Sequence, residues 1–350
     1  MICSNSTSAL HFRCASRAPS ALPLRRSAVG RPFVITRLLS GNGATGPAAT
    51  FPSLVEVQPQ PQPSTPAPAP LPAAPAAAPA APAPVPLLPP AAIYAAAVAA
   101  GTAKCKMPLG KAFVLALLAG AYLGFAGLLS FTLLNTVPGL LSSNPGAAKL
   151  LAAGVFPLGL ALITVCGAEL FTGNTALMPA AVYEGKATWG EVLPRWGVVY
   201  LGNLLGCLAM VGAVVATGLV ASNAVLPGLA VAKTSVPLGQ VLVRSVLCNW
   251  LVCLAVWMSL AANSLPGKLM GLWMPITAFV TVGLEHSIAN MWVIPIGMAL
   301  GAPVSAGAFL TANLIPVTLG NMFAGAVLTA GSYSLAFGRL GAAFNGEGAK

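Results

Sequence analysis

Six long apolar segments limit what this chain can fold into more than any other feature of its sequence. A helix of about 20 apolar residues crosses a hydrocarbon layer of about 30 Å, and inside that layer every backbone group must find its partner within the protein. The sequence therefore predicts an all-α membrane protein with six transmembrane spans, at residues 112–135, 147–185, 195–218, 239–262, 269–301 and 311–338.

The charged residues agree with a membrane protein and exclude several functions. They make up 7% of the chain, against about 25% in a soluble domain. The net charge of +11 does not indicate a nucleic-acid partner, because six of the 17 basic residues are Arg in the first 50 residues and most others flank apolar segments. The chain has no Asp and its seven cysteines form no CxxC pair, so we expect neither a metal site nor a cofactor.

The first hundred residues differ in composition from the rest. Residues 1–50 combine six Arg with many Ser and Ala and no acidic residue, which is typical of an organellar transit peptide, with a basic cytosolic tail as the alternative. Residues 51–103 are expected to be a Pro/Ala-rich disordered linker, with folded structure beginning near Ala91. Residues 104–340 would then form the six-span domain and residues 341–350 a short C-terminal tail.

The charges that flank the spans predict their orientation. By the positive-inside rule, loops rich in Lys and Arg stay on the inner face. With the start of the domain inside, the outer side carries only three basic residues, Lys149, Lys233 and Arg244. The inner side carries eight: Lys104, Lys106, Lys111, Lys186, Arg195, Lys268, Arg339 and Lys350. We therefore expect both ends of the domain on the inner side.

The second and fifth segments are too long for one straight crossing, and the same motif interrupts both. The stretches GAELFTGNTALMP, from Gly167 to Pro179, and GLEHSIANMWVIP, from Gly283 to Pro295, both fit G-x-E-x4-N-x4-P. Glycine and polar residues in the middle of an apolar segment predict a helix that is broken within the membrane.

The motif belongs to a longer internal repeat. LGNLLG in the third segment contains Asn203, and LGNMFAG in the sixth contains Asn321. Each half has three spans, and because three is odd, the second copy must face the opposite way across the membrane. The sequence thus predicts an inverted three-helix repeat, with a site near the midplane where the two broken helices meet.

The break itself indicates the chemistry of that site. An interrupted helix exposes unpaired N–H groups at the start of its second half, and these groups and the helix dipole favour an anion. We expect the second halves to begin near Thr175 and Met291, and the motif glutamates to accept hydrogen bonds from the freed N–H groups. The expected loop-holding residues are Glu169, Asn174, Glu285 and Asn290.

Four segments resemble the signature sequences of the formate/nitrite transporter family: CGAELFTGNT, CNWLVCLAVW, GLEHSIANMWVIP and NLIPVTLGN. The resemblance covers roughly residues 105–340. It implies a homopentamer of aquaporin-like protomers in membrane lipid, each with its own pore for small monovalent anions of weak acids. Some plastid members are associated with nitrite or bicarbonate.

The resemblance also implies roles for individual residues. His286 matches the central histidine of the family, and an apolar constriction would pass a neutral acid more readily than its anion. The implied substrate pathway comprises Thr172, Asn249, His286 and Lys233, with Lys233 in the outer vestibule. The implied constriction comprises Phe156, Leu160, Leu170, Phe171 and Phe279.

His286 can be interpreted as a structural residue or as a functional one. A lone histidine in a span could be a packing residue with satisfied hydrogen bonds. Ionisable groups within a membrane are costly, however, and usually mark a functional site. We therefore expect His286 to donate a proton or a hydrogen bond to the passing anion.

The resulting prediction is a transporter and not an enzyme, with nitrite as the first substrate and bicarbonate or formate as alternatives. A neutral-solute channel is the alternative class, but the Asn-Pro-Ala pair of the water/glycerol channels is missing at both breaks. An intramembrane serine protease would require a serine on a Gly-rich turn with a distant histidine, and no G-x-S-x-G occurs. The leader indicates an organelle, and together with the family resemblance it favours the chloroplast envelope, in its inner membrane, with both mature termini in the stroma.

We expect residues 1–50, fused to a soluble reporter, to direct that reporter into plastids. The reason is the six arginines without any acidic residue. Fluorescence microscopy of the fusion is the measurement, and replacing the six arginines by glutamine gives the matched control. A reporter that stays in the cytosol or enters mitochondria contradicts the prediction.

Overall fold

The structure, a computed structural model, describes residues 87–346. Within that range the chain is helical, without strands. The expected transit peptide and most of the expected linker lie outside the described residues. The first half contains α1 (Pro90–Cys105), α2 (Leu109–Thr136), α3 (Pro138–Ser143), α4 (Pro145–Val155), α5 (Leu158–Cys166), α6 (Phe171–Tyr183) and α7 (Trp189–Ala216).

The second half begins with α8 (Val225–Thr234), α9 (Leu238–Ala261), α10 (Leu265–Val282) and α11 (Ser287–Ala299). Its last span is continuous from Ala306 to Phe337 but alternates between α-helix and wider π-helical turns. It comprises α12 (Ala306–Ala308), a π segment (Phe309–Leu314), α13 (Ile315–Phe323), a second π segment (Ala324–Gly331) and α14 (Ser332–Phe337). A short helix, α15 (Arg339–Phe344), follows.

The six predicted spans are confirmed. Six helical stretches in the described part of the chain are long and apolar enough to cross a membrane, and each overlaps one predicted segment. In the broken spans, α6 and α11 are the shorter apolar halves that follow α5 and α10. The protein is therefore a multi-pass membrane protein built as an inverted repeat of three spans.

Both breaks have the same geometry, and they begin earlier than expected. Each first half ends at a glycine in the left-handed region, Gly167 with φ 78° and Gly283 with φ 83°, which glycine adopts without steric cost. Three residues then connect to the second halves, which start at Phe171 and Ser287. The predicted starts near Thr175 and Met291 are wrong by one helical turn.

Folded structure begins at Pro90, close to the expected start near Ala91, so only the bound of the predicted linker at residue 103 is wrong: residues 90–103 form most of α1. The run of alanines there favours a helix intrinsically, and Pro90 occupies the first turn, where a missing N–H costs nothing. Burial raises the pKa of the Tyr94 phenol, so it stays protonated and donates to Glu184 at 2.8 Å. At the other end, α15 crosses the expected domain boundary at residue 340.

The short helices α1 and α8 complete the repeat. Each precedes the first span of its half, and each packs against a half-helix, α1 against α6 and α8 against α11. The inverted repeat therefore has one more element per half than the sequence indicated.

The spans α2 and α7 pack closely because glycines remove side chains from their contact. Small residues drive helix association in a membrane, where lipid is as apolar as any side chain. A Cβ on Gly120 would meet the backbone of α7, and a Cβ on Gly206 would overlap the carbonyl oxygen of Leu117. This contact also brings Asn203 against the first break.

We expect Gly206→Ala to destabilise the protein, since the added methyl group forces α2 and α7 apart at a cost of about 1–3 kcal/mol. The matched control is Gly212→Ala on the same helix, where a Cβ meets nothing within 4 Å. The melting temperature of the detergent-solubilised protein is the measurement. Equal melting temperatures for the two variants would contradict the packing argument.

Candidate functional site

Asn203 holds the first break in place. Its Oδ1 accepts a hydrogen bond at 2.9 Å from the N–H of Phe171, which is the first residue of α6. Its Nδ2 donates to the carbonyl oxygens of Glu169 at 2.8 Å and Ala116 at 2.9 Å. One fully buried amide thus joins the break to α2 and α7.

Asn321 repeats this arrangement at the second break. Its Oδ1 accepts from the N–H of Ser287 at 2.9 Å, and its Nδ2 donates to the carbonyl oxygens of Ser245 at 2.8 Å and Glu285 at 3.1 Å. The shared LGN pattern in the third and sixth spans therefore has a physical cause. An N–H freed inside a membrane must be capped from within the protein.

The motif glutamates bind side chains instead of the freed backbone groups that we expected them to bind. The carboxylate of Glu169 accepts from Lys104 Nζ at 2.6 Å and Asn174 Nδ2 at 2.8 Å. The expectation is wrong because the asparagines of the neighbouring spans already cap those N–H groups. A buried carboxylate needs a cationic or amide partner, and α1, with Lys104 in its last turn, supplies one.

Glu285 has the same kind of partners and one more. It accepts from Lys233 Nζ at 3.1 Å on both oxygens and from Asn290 Nδ2 at 2.7 Å. Asn313 also donates to it at 3.2 Å, and holds the carbonyl oxygen of Lys233 at 2.9 Å. Asn313 stands in the NLIPVTLGN segment but was not among the expected site residues. The π segment that carries it is a type of turn often found at functional sites.

His286 is the residue immediately before α11 and caps its first turn. Its Nδ1 accepts from the N–H of Ala289 at 3.0 Å, and its Nε2 lies 2.9 Å from Thr172 Oγ1. Since Nδ1 is an acceptor, a neutral ring carries its proton on Nε2 and donates it to Thr172. The ring stacks on Phe279 with centroids 5.7 Å apart.

Asn249 and Thr172 lie behind His286. Asn249 Nδ2 donates to the carbonyl oxygen of Asn321 at 2.6 Å and to Thr175 Oγ1 at 3.0 Å, so it links both halves from α9. Its Oδ1 has no hydrogen-bond partner among the described residues. Neither Asn249 nor Thr172 lines any of the three cavities found in the described part of the chain.

A very small cavity marks a constriction beside His286. Its volume is about 10 Å³, roughly the space that one water molecule needs. Four of the five predicted constriction residues line it together with His286. The apolar lining consists of Leu123, Phe156, Leu160, Leu170, Val252, Ile276 and Phe279.

Phe171 is the predicted constriction residue that the structure places elsewhere. Its ring packs edge-on against Tyr200 at 4.9 Å and Trp196 at 5.9 Å, within the protein core. The reason is local: Leu170 is still extended, whereas Phe171 begins the helix, so the two side chains leave the backbone in different directions.

Two larger cavities flank the constriction. We call the first the Lys233 vestibule; it has a volume of about 360 Å³ and shares Phe156, Phe279 and His286 with the constriction. The second, the Lys104 vestibule, has about 190 Å³ and shares Leu160 and Leu170 with the constriction. The three cavities thus follow one another, with His286 the only titratable group that lines the middle one.

Comparison with known sequences agrees with this architecture. The sequence model described as formate/nitrite transporter matches residues 91–335. A probable formate transporter of Methanothermobacter thermautotrophicus is 41% identical over 66% of this chain and 90% of its own. The formate channel FocA of Escherichia coli K12 is 37% identical over 71% and 93%, and the nitrite transporter NirC of the same strain is 35% identical over 63% and 81%.

Two solved structures have the same fold. One is a pentameric formate channel with formate bound, 33% identical, with a TM-score of 0.58 over 65% of this chain and 97% of that one. The other is an FNT family ion channel, 29% identical, with a TM-score of 0.65 over 70% of this chain and 98% of that one.

We expect Lys233→Met to lower the melting temperature, because it leaves the Glu285 carboxylate buried without its cation, at a cost of about 3 kcal/mol. Adding Glu285→Gln removes the orphaned charge, so the double variant should recover most of the loss. Lys149→Met is the control for losing a cation from the same vestibule. If the two substitutions are additive in melting temperature, the pair is not coupled and the prediction is wrong.

Proposed function

This chain belongs to the formate/nitrite transporter family, and from that premise we propose that it conducts small monovalent anions of weak acids as a homopentamer. The observation that carries the proposal is the position of His286. It is a buried ionisable side chain in the wall of an apolar constriction, between two vestibules that each contain a lysine.

The proposed passage has three steps. An anion enters a vestibule, where any positive side chain that is not paired with a carboxylate raises its local concentration. At the constriction it must lose water, and an anion pays a far larger desolvation cost there than the neutral acid. His286 first takes up a proton from vestibule water on Nδ1, which breaks its bond to Ala289 N–H, then gives one proton to the anion and returns to the neutral ring. The anion crosses the apolar lining as the neutral acid.

We assign supporting roles to the polar residues behind the histidine. Thr172 accepts from Nε2 and so orients the ring, and Asn249 holds the first turn of α6 through Thr175 and the backbone of Thr172. In this proposal both residues position His286. The family resemblance implied instead that Thr172 and Asn249 contact the substrate directly. The four loop-holding residues, Glu169, Asn174, Glu285 and Asn290, keep their proposed structural role.

The substrate proposal has two leading candidates. Nitrite follows from the plastid-type leader and the family resemblance. Formate is favoured by a separate observation, since the relatives at 41% and 37% identity are named for formate. Bicarbonate is the third candidate.

Flux of labelled nitrite, formate and bicarbonate into proteoliposomes tests the proposal, with glycerol as the neutral-solute control. Flux of glycerol without anion flux would overturn it.

The cellular proposal is a plastid protein. We propose that residues 1–50 direct the chain to the chloroplast and that a linker extends from residue 51 to the start of α1. We also propose that both mature termini face the stroma. The support is the arginine-rich leader and the unequal distribution of basic residues on the two sides.

We expect His286→Asn to retain the fold but to lose the pH dependence of anion flux. Asparagine is a good helix N-cap, so the bond to Ala289 N–H can persist, but its amide neither gains nor loses a proton between about pH 5 and about pH 8. The measurement is flux of labelled nitrite and formate in liposomes across that range, with size-exclusion chromatography to check assembly. Coincident pH profiles for the variant and the wild type would make His286 a structural residue.

A further inference from the structure

The Lys233 vestibule carries more positive charge than its central lysine suggests. Three cationic side chains line it: Lys149 from α4, Lys233 from α8 and Arg244 from α9. Glu285 is the one carboxylate among its lining residues. Because Lys233 Nζ contacts both oxygens of Glu285 at 3.1 Å, its charge is already compensated.

Lys149 and Arg244 have no such compensation. The guanidinium of Arg244 donates to Gln240 Oε1 at 3.1 Å, which is a neutral acceptor. Lys149 makes no side-chain hydrogen bond or ion pair within residues 87–346. The described part of the chain has three further carboxylates, and each has a different neighbour: Glu169 binds Lys104, Glu184 binds Tyr94 and Glu191 binds Thr188.

The opposite vestibule is balanced. Lys104 and Glu169 are its only charged lining residues in the described part of the chain, and they form an ion pair at 2.6 Å. The two halves of the repeat therefore share the Lys–Glu pair but differ by two positive charges at the mouth. This difference follows from individual residues of α4 and α9 and not from the repeat.

We propose that Lys149 and Arg244 form an anion-collecting site in the Lys233 vestibule, separate from the Lys233–Glu285 pair, and that this site makes the pore electrostatically asymmetric. Small monovalent anions that arrive from this face are concentrated before they reach His286. Anions that arrive through the Lys104 vestibule are not concentrated in this way. The proposal rests on the proposed anion conduction and assigns its collecting step to residues that the sequence analysis used only for orientation.

The expected size of the effect follows from Coulomb's law. In a water-like medium, one charge about 8 Å from a monovalent anion changes its local concentration by about twofold, and salt screens the effect over about the same distance. Removing two such charges should therefore raise the half-saturation concentration about fourfold at low ionic strength. The maximal rate, which depends on the constriction, should not change.

The test compares Lys149→Gln/Arg244→Gln with the wild type and with Lys186→Gln, which removes an exposed lysine that lines none of the three cavities of the described chain. Uptake of labelled formate and nitrite is measured in inside-out and right-side-out vesicles at low and high salt. We expect the half-saturation concentration to rise about fourfold for uptake from the Lys233 face only, with convergence at high salt. An unchanged value, or a loss of maximal rate at every salt concentration, would overturn the proposal.

Vesicles of neutral lipid and of lipid with an anionic headgroup separate the two possible ligands. An effect that requires anionic lipid would mean that the two cations bind a headgroup phosphate, which also overturns the proposal. In neutral vesicles the effect should persist in full.

A second measurement does not depend on transport. Ala232 lines the same vestibule and is exposed, so Ala232→Cys places a reactive thiol there. The exposed Cys166 is first replaced by alanine. The new thiol is then labelled with an anionic and with a cationic thiol reagent, and the two reaction rates are compared. The ratio of the anionic to the cationic reaction rate should fall about 16-fold in the double variant, because the local anion concentration falls about fourfold and the local cation concentration rises about fourfold. If the wild type conducts no anion but this ratio falls, the proposed function fails while the anion-collecting site stands. An unchanged ratio refutes the site itself.

Discussion

An interrupted helix inside a membrane must find partners for the backbone groups that the interruption frees, since hydrocarbon offers none. In this protein Asn203 and Asn321 meet that requirement from neighbouring spans, each with one amide that caps an N–H and holds two carbonyl oxygens. The pore depends on these bonds. They hold the extended residues between the half-helices, and those residues carry Leu170 and His286 to the constriction.

The inverted repeat builds a symmetric scaffold around an asymmetric pore. Leu170 and His286 occupy equivalent positions, each directly after the motif glutamate, so one break contributes an apolar wall and the other an ionisable one. Glu285 receives an additional amide from Asn313, and the vestibule next to it has about 360 Å³ against about 190 Å³ on the other side. Backbone geometry is thus shared between the halves, while charge and polarity are not.

The wrong sequence predictions have related causes. The linker was extended to residue 103 because the alanine-rich residues 90–103 are too few to cross a membrane, although α1 is stabilised by packing on α6 and by the Tyr94–Glu184 bond. The glutamates were expected to cap the freed N–H groups because they are close in sequence, whereas asparagines more than 30 residues away do so. The family resemblance implied that Phe171 lines the pore, whereas its ring packs against Trp196 and Tyr200 in the core. In each case the deciding contact comes from a distant part of the chain.

The sequence by itself determined the class of fold, the six spans, the two breaks and the inverted repeat, and it singled out His286. These features follow from hydropathy, segment length and motif spacing, which are local or periodic properties of the chain. Only the tertiary structure decided which atoms hold the breaks, that Nδ1 of His286 caps α11 while Nε2 meets Thr172, and which cations remain unpaired in the Lys233 vestibule. Those outcomes depend on which residues of separate helices meet, because a buried polar group binds the nearest compatible partner in space, whatever its position in the sequence.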